Sequence, residues 1–261
     1  MQATLLGLAF AIILALVAAL VGPLFIDWGQ YRGVFEARAS RMVGMPVRIM
    51  GKIDARILPT PSVVLRGIEI GEAAAQPRVT ARELGIEFGL GPLFRGELRA
   101  AEMRLVAPDV RLALDAEGRP DWPKVQAGTD PDQLSIDRLR IEGGRAALSD
   151  ARNGAALVVD KLWFNGELRS LAGPMKGEGG FNAAGERYSY RVSTGRADED
   201  GAVKLRLGLD PSERQLTVEA DGTLRLQNGL GFEGTLALTR PAGVAPASGR
   251  GVAAVPWRAS G

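Results

Sequence analysis

The sequence predicts a mainly β protein. An N-terminal transmembrane helix and a short amphipathic helix come first, and an extended antiparallel β-sheet groove follows. Three observations carry this. Met1 to Ile26 holds no charged side chain. The segment after it has helical spacing and ends at Gly44 and Pro46. Beyond Pro46 the apolar period changes from helical to two, with turn residues at regular intervals.

The first element covers 1–26. Ala3 to Phe25 is almost wholly apolar, and about 20 apolar residues span a bilayer core of about 30 Å. A cleaved signal peptide requires a basic start, and no Lys or Arg precedes the run. A retained anchor is therefore the reading. Arg32, Arg38 and Arg41 just after the span would, by the positive-inside rule, hold the body in the cytoplasm. The two-residue head gives that rule almost nothing to count against.

The second element covers 27–45. Asp27 and Gln30 have capping-box spacing. Tyr31, Val34, Phe35, Ala39, Met42 and Val43 then share one face. Trp28 and Tyr31 stand where interfacial aromatics occur, and are the candidate membrane-interface residues. The helix either lies on the membrane surface or caps the sheet that follows.

The body is read as a β unit over 46–118, a linker loop over 119–133 and a second β unit over 134–240. Leu84, Ile86, Phe88 and Leu90 alternate with Gly85, Glu87 and Gly89. Val110, Leu112 and Leu114 do the same, as do Val203, Leu205, Leu207 and Leu209. Gly91-Pro92, Gly143-Gly144, Asn153-Gly154, Asp221-Gly222 and Asn228-Gly229 supply turns. About 15 strand candidates follow, with no helix after Gly44. Parallel βαβ units are thereby excluded in favour of an antiparallel meander. The parity slip between Ile136 and Leu139 predicts a bulge or bend. The Ala, Gly, Pro and Ser-rich tail, 241–261, has no period and is expected to be disordered.

Composition limits chemistry. There is no His and no Cys among the 261 residues. That excludes a Ser-His-Asp triad, a thiolate nucleophile and His- or Cys-ligated metals. The 32 basic residues against 30 acidic ones are interleaved, without the basic cluster that nucleic acid needs. Asp198, Glu199 and Asp200 lack Ca²⁺-loop spacing, and Gly177 to Gly180 lacks the Lys-Ser/Thr of a phosphate loop. No enzyme, no cofactor, no metal and no nucleic-acid partner is expected.

What remains is an apolar sheet face that something must cover. A closed sandwich would cover it with a second sheet. An open or tunnel-like sheet would cover it with acyl chains. On that second reading Leu84, Ile86, Phe88, Leu90, Val110, Leu112, Leu114, Val203, Leu205 and Leu207 line the groove. On the sandwich reading the protein is an assembly or scaffold factor whose exposed edge strand binds clients.

Several stretches resemble the AsmA-like family of Gram-negative bacteria. They are Asp27-Trp-Gly-Gln-Tyr-Arg32, Gly44-Met-Pro-Val47, Leu58-Pro-Thr-Pro-Ser62 and Gly67-Ile-Glu-Ile-Gly71. Leu93 to Leu98, Ala107 to Leu112 and Gly118-Arg-Pro-Asp-Trp122 continue the likeness, the last with Asp121 where the family has Asn. Leu134 to Gly144 and Leu171 to Pro174 resemble its second unit. The resemblance implies an inner-membrane protein with a single N-terminal span and its body in the periplasm, against the positive-inside count. It implies a chorein-like start, a taco-like or tunnel-like body and a fold similar to bridge-like lipid-transfer proteins. The implied role is phospholipid transport or outer-membrane homeostasis, with other envelope proteins as partners. Assembly of outer-membrane proteins is the alternative. Members are usually longer. About 15 strands at about 4.8 Å give a groove of about 70 Å, so the chain reads as a truncated member, or one that works with a partner or as a membrane-local module.

Overall fold

A computed structural model describes residues 2–22, 26–71, 78–94, 99–121, 135–170, 173–198, 201–213, 216–225, 231–240 and 254–259. Most of the expected linker, from Trp122, and the Asn228-Gly229 turn lie outside them.

The apolar run forms α1 (Gln2–Val21). Among the described residues no helix is long and apolar enough to cross a membrane. A 3-10 turn (Trp28–Tyr31) leads into α2 (Arg32–Val43). Asp27 caps that turn rather than closing a box with Gln30, because its Oδ1 accepts from the Gly29 N–H at 2.9 Å. Gly44 ends α2 in the left-handed region, φ 76°, where a Cβ would be strained.

The strands are β1 (Val47–Ile49), β2 (Ile53–Arg56), β3 (Ser62–Ile70), β4 (Val79–Phe88), β5 (Arg99–Val106), β6 (Asp109–Leu114) and β7 (Ser135–Asp150). They continue as β8 (Ala155–Leu168), β9 (Met175–Ala183), β10 (Glu186–Thr194), β11 (Ala202–Pro211), β12 (Thr217–Arg225), β13 (Gly231–Thr239) and β14 (Ala254–Ala259). A five-residue helix, α3 (Leu90–Phe94), sits between β4 and β5. Among the described residues all the strands belong to one sheet, which runs from β1 to β14 without pairing its two ends. β1 and β2 share the same neighbour, β3, and act as one interrupted strand. β5 and β6 likewise both lie between β4 and β7.

Three features differ from the sequence reading. First, the meander is not wholly antiparallel, since β7 runs parallel to both β5 and β6. Parallel neighbours require the chain to return along the strand, which takes a dozen or more residues. Residues 115–134 make that return, so the Pro- and Gly-rich stretch joins two strands of one sheet. Second, Leu90 is not a strand residue. The β4 ladder stops at Phe88, and Leu90 opens α3, 43% exposed. Pro92 fits the first turn of that helix, where its missing N–H is not needed. Third, the tail contributes β14, registered on β13 from Phe232↔Ala259 to Ala237↔Ala254. An open strand edge offers backbone partners to any extended segment, whatever its side-chain period.

The tightest packing lies at the first end of the sheet. Val47, Ile49, Ile53, Leu65, Ile68 and Ala81 form a buried cluster, and Trp28, Phe35, Ala39 and Val43 pack on it from the helices. α2 also closes the sheet edge. Glu36 Oε1 accepts from the Ile49 N–H at 2.7 Å, and Ser40 Oγ accepts from the Val47 N–H at 2.8 Å. Arg32 donates to the Gly51 carbonyl at 2.9 Å. Side chains of a helix thus take the place of a neighbouring strand along β1.

Candidate functional site: a continuous apolar sheet face

Paired residues in neighbouring strands point to the same side of a sheet. The register therefore defines rows that cross the whole molecule. One row runs Ile53, Leu65, Leu84, Leu105, Ile141 and Phe164, then Gly179, Tyr190, Leu209, Val218 and Leu238. The next runs Ala55, Val63, Ile86, Met103, Leu139 and Gly166, then Gly177, Val192, Leu207, Ala220 and Leu236. Neither contains a charged residue. The row between them, on the opposite face, reads Val64, Gly85, Arg104, Arg140, Asn165, Glu178, Arg191, Gly208 and Glu219. Along these rows one side of the sheet is uncharged and the other is polar; Glu186, in step with Tyr188 and Tyr190 on β10, is a buried acid on the first side and accepts from the Tyr188 hydroxyl at 2.9 Å.

Nine of the ten groove residues expected from the sequence fall on the apolar side. Leu84, Ile86 and Phe88 come from β4, and Val110, Leu112 and Leu114 from β6. Val203, Leu205 and Leu207 come from β11. β4 and β11 are far apart in the strand order, but the rows connect them. Leu90 is outside the sheet. Trp28 is half-buried on the first core cluster, 6.1 Å from the Tyr31 ring, so it seals the sheet end. Tyr31 stays 45% exposed.

Phe35, Ala39 and Val43 of α2 pack on the buried cluster that β1 to β4 supply. Further along, the side chains are half-exposed, and Leu238 is 50% exposed. Among the described residues no second sheet lies over them.

The middle of this face has a floor that the sequence reading did not identify. Phe181 stacks on Tyr188 at 5.2 Å and meets Tyr190 at 5.9 Å, and Phe164 stacks on Tyr190 at 6.5 Å. Phe164 lies flat over Gly166 and Gly177, where a Cβ would come 2.6 and 2.5 Å from its ring carbon. Tyr190 lies over Gly179 in the same way. Glycines and aromatics therefore interlock across strands, with each ring filling the space that a missing side chain leaves. Burial pushes the Tyr190 hydroxyl pKa up. The signal for this floor was the Gly177-Glu-Gly-Gly180 run. Read along one strand it looks like a turn; only cross-strand neighbours show what the glycines admit.

The polar face is held by ion pairs. Arg66 bonds Asp54 and Arg104 bonds Glu142 at 2.7 Å. Arg99 bonds Asp137 at 2.5 Å, and Arg206 bonds Asp221 at 2.8 Å. The hydrogen bond from Arg104 holds the Glu142 pKa below the usual range. A cleft of about 910 Å³ lies on this side, bordered by Asp137, Lys176, Glu178, Arg191, Arg206 and Asp221. Its acids and bases alternate and partly neutralise each other. Its lining also takes in Gly166, Gly177, Val192, Leu207 and Ala220 of the second row, while its charged side chains belong to the polar face. Among the described residues no acidic group gathers in a way that could hold a metal ion.

The Gly118-Arg-Pro-Asp121 motif also has a structural role. Asp121 Oδ1 accepts from the Ala113 N–H at 3.0 Å, and its Oδ2 pairs with Arg78 at 2.6 Å. Asp115 Oδ1 accepts from the Arg119 N–H at 2.8 Å and the Glu117 N–H at 3.0 Å. Together these fasten the end of β6 where the chain starts its return.

No curated protein and no solved structure matches the chain. The profile of the AsmA family matches residues 1–167, which takes in α1, α2 and the sheet as far as the end of β8. With more than half of its length matched, including the segment that seals the sheet edge, the chain belongs to the AsmA family.

Proposed function

We propose that this protein binds phospholipid acyl chains along the apolar face of its sheet and contributes to phospholipid transport or outer-membrane homeostasis. The observation that carries the reading is the pair of uncharged rows from β2 to β13, left half-exposed beyond α2. An acyl chain is long, narrow and apolar, and gains about 0.8 kcal/mol for each methylene removed from water. A strip that crosses strand after strand offers such contact without chemical change, so the proposed role is non-enzymatic. The absence of His and Cys agrees with it. The same proposal places α1 in the inner membrane as a single span and the body in the periplasm. α2 would stand at the membrane boundary with Tyr31 exposed.

The scaffold alternative rested on a closed sandwich. A single sheet whose ends do not pair supplies no second layer for it among the described residues.

Full-length protein extracted in mild detergent tests the proposal. Native mass spectrometry should find co-purified phospholipid, and lipid carrying a photoreactive acyl chain should label β4, β6 and β11 on the apolar side. No bound lipid, or labelling confined to α1, would refute it.

A further inference from the structure

The helix α2 has two unlike faces. On the inner one, Phe35, Ala39 and Val43 pack on the core cluster, and Arg32, Glu36 and Ser40 bond the β1 edge and the corner after it. The opposite arc carries Val34, Ala37, Arg38 and Arg41, at the i, i+3, i+4 and i+7 spacing of one helical face. All four are exposed, Val34 to 67%. Tyr31, one turn before Val34, is exposed as well. The one acid of α2, Glu36, is held on the inner side by the Ile49 N–H. The outer arc therefore has two cations and no acid. Arg41 donates to the Ala37 carbonyl at 3.3 Å, and among the described residues neither Arg38 nor Arg41 joins an ion pair. The polar face of the sheet differs, since Arg66, Arg104 and Arg206 each have a carboxylate partner there.

We infer that the outer arc of α2 is a docking surface for a bilayer of anionic phospholipid, with Arg38 and Arg41 on lipid phosphates and Tyr31 and Val34 in the interfacial layer. Three observations select this occupant. Cations without opposing acids favour a negatively charged surface. Val34 and Tyr31 add apolar and aromatic area to the same arc, which a soluble anion would leave uncovered and the interfacial layer of a bilayer covers. Finally, α1 holds no charged residue and ends at Val21, while α2 starts at Arg32. So short a tether keeps α2 close to any bilayer that α1 enters. The inference rests on the proposed placing of α1 in a membrane. It adds which face of α2 meets that membrane and which lipid the face selects. Because the inner arc is bonded to β1, docking of the outer arc holds the first edge of the sheet at the bilayer.

The chain has no cysteine, so Val34→Cys carries a single environment-sensitive fluorophore. The full-length protein is reconstituted with phosphatidylcholine vesicles, with or without phosphatidylglycerol, and nitroxide-labelled lipid reports contact by quenching. The ratio of docked to undocked α2 should rise about tenfold or more with phosphatidylglycerol. It should fall again at high salt. Lys204→Cys, exposed on the polar face of β11, should not respond. Arg38→Glu with Arg41→Glu, added to Val34→Cys, should abolish the response, and circular dichroism checks that this variant folds. Arg38→Gln with Arg41→Gln should lose most of it, and decides the matter should the reversed pair fail to fold. Protein retained by phosphatidylglycerol vesicles alone would support the docking face while refuting α1 as the anchor. Equal quenching with and without phosphatidylglycerol in retained protein would overturn the inference and leave the anchor standing. A response that survives the arginine changes, an equal response at Lys204→Cys, or retention by neither vesicle would each overturn it too.

Discussion

Replacing Glu36 by Ala should open the first edge of the sheet. Glu36 Oε1 accepts from the Ile49 N–H at 2.7 Å, and Ile49 is only 1% exposed. Once the carboxylate is removed, that N–H has no strand beside it and little access to water. A hydrogen bond to a charged acceptor contributes about 1.5–3 kcal/mol, and a buried donor left unpaired costs about as much. At 1.4 kcal/mol per factor of ten, the local opening of β1 should become about 10- to 100-fold more frequent. Hydrogen exchange at the Ile49 and Val47 amides measures it, with amides in β11 and β12 as internal controls. Glu36→Gln keeps an oxygen acceptor in place and should show a smaller increase. Ser40→Ala should affect Val47 chiefly, since its Oγ accepts from that N–H at 2.8 Å. If Glu36→Ala left Ile49 exchange within about twofold of wild type, or if Gln were as damaging as Ala, edge sealing by α2 would be wrong.

Three further outcomes are expected. Gly177→Val places a methyl-bearing carbon against the Phe164 ring, 2.5 Å away before any shift, and should destabilise by about 1–3 kcal/mol in thermal unfolding. The same change at Gly208, where a Cβ meets nothing within 4 Å, should cost far less. Leu207→Asp puts a charge in the second apolar row and should lower co-purified lipid with little change in far-UV circular dichroism, whereas Arg206→Ser on the opposite face should leave lipid unchanged. Glu142, Asp115 and Asp150 have folded-state pKa values below the usual carboxylate range. The causes are hydrogen bonds from the Arg104 side chain, the Arg119 backbone and the Arg152 side chain respectively. Depressed carboxylates favour folding above their unfolded pKa, and that contribution is lost as pH falls through the folded value. Urea midpoints should therefore hold steady from about pH 7 to 5 and decline below about pH 4, with a smaller decline in Arg104→Gln.

Much of the sheet was readable because strands write themselves as alternation. Leu84-Gly-Ile-Glu-Phe88... has only one way to divide its side chains between two faces, since Gly85 and Glu87 interleave, and the same holds for Val203 to Leu209. Where the ladder slips, alternation fails and the lining residues were missed. β8 takes an extra residue between Asp160 and Trp163, with Lys161 at φ 50°, so Val159 and Phe164 share a face although their numbers differ by five. The β7 register shifts between Ile136 and Leu139, which the parity slip did foretell. Leu90 was misplaced because the alternation runs past the point where the β4 ladder ends.

The sequence by itself determined that the body is mainly β, which face of strands such as β4 and β11 is apolar, and the exclusion of His and Cys chemistry, because these depend on residue identity and short-range period. Only the tertiary structure decided which strand lies beside which. That settled the parallel return onto β7, the rings lying over Gly166, Gly177 and Gly179, and the side-chain seal along β1. Each of these depends on contacts between residues distant in the chain, and a hydrogen bond or a close approach across strands leaves no periodic trace along any one of them.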